Sequence, residues 1–130
     1  MRSGLARVLV GLASLLIASA APAPDIVTVH LSNFAFTPDQ LRLRVGEPVH
    51  LRIVNDSTGG HNFTAPSLFS ASTFPDGSPP TSGKVEVGPK SSTDIVFVPR
   101  VPGTYRVECT HFLHSLFGMT GNVVVEVPPR

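Results

Sequence analysis

Leu41-Arg42-Leu43-Arg44-Val45, a Gly46-Glu47-Pro48 break, then Val49-His50-Leu51-Arg52-Ile53-Val54-Asn55: apolar and polar side chains alternate on both sides of a tight connection. A period of two puts one face of each segment in a core and the other in water, which is a strand pattern and not a helical one. The pattern continues outward. Residues 25–32 carry Val27, Val29 and Leu31 on one face, with Ile26, Thr28, His30 and Ser32 on the other, and Thr37-Pro38-Asp39 makes a turn. Downstream, 84–87 and 93–98 are strands joined by Gly88-Pro89-Lys90, 104–109 follows Pro102-Gly103, and 121–127 is the last strand. Residues 63–83, with four prolines, read as irregular with at most a helical turn over 67–72. The expectation is an all-β, antiparallel Greek-key β-sandwich of about seven to eight strands.

Composition agrees and excludes several classes. With 42% hydrophobic and 15% charged residues in 130, the chain can bury the core of one domain. Thirteen prolines and eleven glycines, spread through the chain, argue against a helix bundle. A formal charge of +1 with no Lys/Arg cluster excludes nucleic acid as the partner. A single cysteine permits neither an internal disulfide nor a four-cysteine zinc site. Arg2 and Arg7, the apolar run 8–18 and Ala18-Ser19-Ala20 read as a cleavable signal peptide over 1–20, leaving a domain at 21–130. Pro22 and Pro24 follow too soon for a membrane anchor, so none is expected after cleavage. Removal takes two arginines and no acid, moving the charge from +1 to −1. The expected destination is a bacterial periplasm, where an unpaired Cys109 must be buried, metal-bound or bonded to another chain.

The chemistry concentrates in residues 105–121. Cys109 is the only cysteine and Met119 the only methionine besides the initiator, and His111 and His114 lie between them. His61 stands far upstream in Gly59-Gly60-His61-Asn62-Phe63, just beyond the end of a strand. Thiolate, imidazole and thioether together suit copper cycling between Cu(II) and Cu(I): sulfur stabilises Cu(I), imidazole serves both states, and a weak axial thioether holds an intermediate geometry. Zinc does not select a thioether.

The Cys-x4-His-x4-Met spacing from Cys109 through His114 to Met119, the Gly118-Met119-Thr120-Gly121 that runs into the final strand, and the upstream Gly60-His61-Asn62 resemble the cupredoxin family of small blue copper proteins, with its azurin, auracyanin and plastocyanin-like members. The resemblance covers the mature chain. It implies one copper ion, with His61 and His114 as nitrogen ligands, Cys109 as the thiolate and Met119 as a distant axial sulfur. It implies that the Gly60 carbonyl approaches the metal. The Asn62 backbone N–H would donate to the thiolate, and the Asn62 side chain would tie the ligand loops together beside Thr110. It further implies that His114 reaches the surface through an apolar patch, here Phe112, Leu113, Leu116 and Phe117, where transient redox partners dock.

His111 departs from the pattern, because relatives have an apolar or aromatic residue there and usually a proline in the loop. It is read as a partly exposed residue beside the site, or alternatively as an extra or replacement ligand that shifts the site towards green or towards storage. His30 and His50 read as surface residues of strands. Asn55-Asp56-Ser57 and Asn62-Phe63-Thr64 match glycosylation sequons and are taken as coincidences. The expected function is an exported, monomeric one-electron carrier with no catalytic activity of its own. The alternatives are a copper protein for tolerance, storage or delivery and, discounted for want of an oxyanion-hole glycine cluster, a Cys109/His114 hydrolytic enzyme.

Overall fold

Each alternating segment offers one apolar face, and such faces are buried by laying one sheet on another. In a computed structural model, which describes residues 14–19, 23–111 and 116–130, the segments form two five-stranded sheets among the described residues. Strands are labelled in chain order. The first sheet runs β2 (Ala35–Thr37), β1 (Asp25–Ser32), β4 (Val49–Asn55), β8 (Ser91–Pro99), β6 (Ser72–Thr73). The second runs β3 (Gln40–Arg44), β10 (Thr120–Glu126), β9 (Gly103–Glu108), β5 (His61–Thr64), β7 (Lys84–Val87). The expected β-sandwich is present, with β2, β5 and β6 added to the seven strands read from alternation. A five-residue helix α1 (Pro66–Ser70), with proline in its first turn, occupies the stretch where a helical turn was expected.

Two pairings are parallel, β1 with β4 and β10 with β3, so the wholly antiparallel expectation is amended. The chain passes between sheets after β2 and again after β3, and a strand returning through such a crossover can run alongside its predecessor in the same direction. Gly46 makes the second crossing in a left-handed conformation, φ 80°, and its N–H is held by the Pro99 carbonyl at 2.9 Å.

The core lies between the sheets. Val29, Leu31, Phe36, Leu51, Ile53 and Phe97 of the first sheet face Leu41, Leu43, Phe63, Val87, Val107 and Val123 of the second, all buried. A chain of aromatic contacts crosses it: Phe36 to Phe63 at 6.0 Å, Phe63 to Phe69 at 6.1 Å, and Phe69 edge-on to Phe97 at 5.6 Å. Phe63 is two residues beyond His61 on β5, so the upstream histidine is mounted on a strand locked into this core.

On the outer face of the first sheet, Arg52 and Asp94 stand directly opposite across β4 and β8. The guanidinium donates from Nε and from an Nη to the two carboxylate oxygens, each at 2.9 Å, and His50 Nε2 lies 3.1 Å away. The Arg52 hydrogen bonds and then that from His50 hold the Asp94 carboxyl down at about 2, against an ordinary 3.8. A carboxylate depressed in the folded state contributes stability above its unfolded value and loses it as pH falls towards the folded one. Thermal melts of Asp94→Asn should therefore depend less steeply on pH than wild type between about 4 and about 2; parallel curves would contradict this.

Gly121 fixes how β10 begins. A Cβ there would lie 2.5 Å from the Asp39 carbonyl oxygen and 3.2 Å from Val107 Cγ1, while the next N–H, of Asn122, bonds that same carbonyl at 2.8 Å. Gly121→Ala should cost about 1–3 kcal/mol by forcing the backbones apart, read as a lowered Tm.

Candidate metal centre

Three strands of the second sheet meet at one rim, and of the residues singled out by the sequence His61, Cys109 and Met119 lie there. Asn55, the last residue of β4, prepares the upstream approach. Its buried amide donates to the carbonyls of Gly59, Val87 and Gly88 at 2.8, 3.1 and 3.0 Å, and its carbonyl accepts from the Ser57 N–H and hydroxyl. This fixes the turn that delivers His61. His61 opens β5 instead of trailing a strand, in register with Val87. Cys109 follows the last residue of β9, and its N–H bonds the Met119 carbonyl at 3.1 Å where β10 is about to start. The hairpin of β9 and β10 thus closes at its mouth with the cysteine and the methionine side by side in the chain's own hydrogen bonding.

His61, Cys109 and Met119 are 2%, 0% and 0% exposed. The Cys109 Sγ lies 3.8 Å from His61 Nδ1. At bond lengths of about 2.3 Å to sulfur and about 2.0 Å to nitrogen, that separation subtends about 120° at a shared ion, the angle of a trigonal site. The donor set and this spacing fit copper. Among the described residues no third His, Cys, Asp or Glu converges with the pair. His114, the expected second imidazole, lies outside the described residues, as do Phe112 and Leu113.

Asn62 binds together the two segments that carry His61 and Cys109. Its carbonyl accepts from the Thr110 N–H and the Thr64 hydroxyl, both at 2.9 Å, and its amide donates to the Thr110 hydroxyl at 2.9 Å and to Glu86 Oε1 at 3.0 Å. Both lone-pair directions and both N–H groups are in use. The side-chain tie expected beside Thr110 is therefore present.

His111 lies against Gly60, where a Cβ would come 3.2 Å from its Cε1. Its ring centroid is 6.4 Å from that of His61, with a tilt of 48°. Its Nε2 is 2.9 Å from Glu86 Oε2. Burial acts to raise the Glu86 carboxyl, but the hydrogen bonds from His111 and Asn62 outweigh it and hold the group below the ordinary carboxylate range. Glu86 was not singled out by the sequence: it is an outward position of Lys84-Val85-Glu86-Val87, and only the register of β7 against β5, which sets it opposite Asn62, gives it a place at the site.

Just before the methionine in the chain, Leu116 and Phe117 are 78% and 64% exposed, and Phe117 meets the edge of Phe34, from the β1–β2 turn, at 5.6 Å. His30 and His50 are paired with carboxylates, Asp56 at 2.7 Å and Asp94 at 3.1 Å. Asn55 and Asn62 are each 1% exposed, so neither sequon offers its nitrogen to a glycan in the folded chain.

No curated protein sequence matches the chain. Among solved structures it resembles a dithionite-reduced auracyanin from the photosynthetic bacterium Roseiflexus castenholzii, at TM-score 0.62 and 21% identity over 81% of this chain and 99% of that one. Auracyanin B follows at 0.60 and 23%, over 84% and 93%. Auracyanin A, a "blue" copper protein from the green thermophilic photosynthetic bacterium Chloroflexus aurantiacus, gives 0.60 and 19%, over 80% and 100%. At these identities the likeness is one of fold. The family model for the cupredoxin-like domain matches residues 5–125, nearly the whole sequence, and the chain belongs to that family.

Proposed function

We propose that the protein is an exported carrier of single electrons, built around one copper ion held by His61, Cys109, His114 and Met119, and that it catalyses no reaction of its own. The observation that carries this reading is the buried meeting of an imidazole nitrogen and the chain's only thiol at 3.8 Å, with the only internal methionine buried beside them. When bound, copper supplies a couple between Cu(II) and Cu(I) that accepts and returns one electron. The chain's part is to keep the ligands still. Asn62 clamps the His61 strand to Thr110, the Met119 carbonyl receives the Cys109 N–H, and Asn55 fixes the turn before His61. Ligands held by the fold change position little between oxidation states, which keeps the barrier to electron transfer low. A delivery protein needs ligands that release their ion readily, and the burial and cross-tying of His61, Cys109 and Met119 favour the carrier.

The apolar residues around the ligand loop would meet the redox partner. Leu116 and Phe117 are exposed, Phe34 extends their surface at 45% exposure, and Phe112 and Leu113 are neighbours in sequence. Such a surface binds briefly and with little dependence on salt, as turnover requires. Export is read from residues 1–20, with Arg2 and Arg7, the apolar run 8–18 and the small-residue Ala18-Ser19-Ala20 site. Among the described residues no helix is long and apolar enough to cross a membrane.

Purified mature protein loaded with Cu(II) should show intense thiolate-to-copper absorption and a narrow copper hyperfine splitting; a pale site with a wide splitting would reject the carrier reading. Cys109→Ser should abolish the absorption. Met119→Leu should keep it and raise the reduction potential, since losing the axial sulfur weakens the hold on Cu(II). For the docking surface, Leu116→Lys should slow electron self-exchange between oxidised and reduced copies by about tenfold, because like charges would then meet; an unchanged rate would remove the patch from the mechanism.

A further inference from the structure

We propose that Glu86 selects the metal's ligands: by holding the ring of His111 it keeps that histidine out of the coordination sphere and leaves the position to His61. The inference rests on the copper reading above and concerns how the chain chooses between two imidazoles that stand side by side. His111 is two residues from the thiolate, its ring lies against Gly60, and its centroid is 6.4 Å from that of His61. By chemistry alone both rings are equally good donors to copper. They differ in what holds them.

His61 is 2% exposed, on a strand anchored in the core, with Nδ1 facing the sulfur. His111 is 36% exposed by its side chain and is fixed at Nε2 by Glu86 Oε2 at 2.9 Å. The carboxylate is itself positioned: Oε1 receives the Asn62 amide at 3.0 Å, Asn62 is bonded twice to Thr110, and Lys84 Nζ lies 3.9 Å from Oε1. Turning the His111 ring towards the ion would break its bond to an ionised partner, the stronger kind of hydrogen bond. A carboxylate can also orient a histidine as a ligand through its other nitrogen. That alternative requires His111 to converge with His61 and Cys109, and among the described residues no third histidine or acid does.

The test compares copper-loaded wild type, His111→Ala, Glu86→Ala, Glu86→Gln and the Glu86→Ala/His111→Ala pair by visible absorption and pulsed paramagnetic resonance. Glu86 is 58% exposed on an edge strand, so its variants should fold, as circular dichroism will check. His111→Ala should match wild type. Glu86→Ala should shift the colour from blue towards green and add a nitrogen coupling. Glu86→Gln, whose amide can still meet both Asn62 and His111, should stay near wild type, and the double variant should return to the wild-type spectrum. A Glu86→Ala spectrum identical to wild type overturns the inference. So does a shift that persists in the double variant, which would mean Glu86 acts through Asn62 or through packing and not through His111, or a loss of colour in His111→Ala. A wild type with no thiolate-to-copper band would instead overturn the proposed function, and this inference with it.

Discussion

Asn62 is the constraint on which the metal centre depends. A primary amide buried at 1% exposure is costly unless all of its polar capacity is met, and leaving even one partner unmade costs about 1–3 kcal/mol. Here the capacity is met by atoms on three separate stretches: Thr64 on its own strand, Glu86 on β7, and the backbone and hydroxyl of Thr110 just after Cys109. Residues 62 and 110 share only one laddered pair of neighbouring strands, Thr64 with Glu108. The backbone alone therefore gives little control over the separation of His61 and Cys109. The side chain of Asn62 supplies that control one residue from each ligand, and the 3.8 Å approach of Nδ1 to Sγ follows from it.

The two sheets divide the work. The first, with its long β4 and β8 and its bidentate Arg52–Asp94 pair, supplies the scaffold and carries none of the proposed ligands, although Asn55 at the end of β4 braces the turn before His61. In the second, β5 brings His61, β9 leads to Cys109 and Met119 precedes β10, so these three proposed ligands meet at one rim. Phe63 transmits the packing from one sheet to the other: its ring meets Phe36 and Phe69 while its strand starts at His61. Displacing the aromatic core would move the histidine directly, because only one residue lies between them.

The fold was legible where one face of a strand is wet. Residues 41–45, 49–55 and 84–87 alternate in sequence because they alternate in burial. Strand β5 was illegible for the opposite reason: His61, Asn62, Phe63 and Thr64 are all buried, so no polar–apolar rhythm marks them. Strands β2 and β6 are too short to show a period. The parallel pairings are set by which strands a crossover brings together, a non-local fact no window of sequence contains. In the same way the ligand types announced themselves by rarity, one cysteine and one internal methionine sharing a loop. Glu86 is an ordinary surface acid until the β5–β7 register sets it against Asn62 and His111.

Burial also bears on how the chain's single cysteine would fare in the oxidising compartment proposed for this protein. Cys109 could survive there by pairing with another chain, by binding metal, or by being inaccessible. At 0% exposure its sulfur cannot reach a thiol or disulfide of a second molecule without opening the hairpin mouth, and the Cys109 N–H bond to Met119 holds that mouth closed. The protection comes from the chain's own hydrogen bonds and packing. The features that shield the thiol are those that would hold the proposed ligands in place: an inaccessible sulfur, a neighbouring imidazole fixed by its strand, and the Asn62 clamp between their segments.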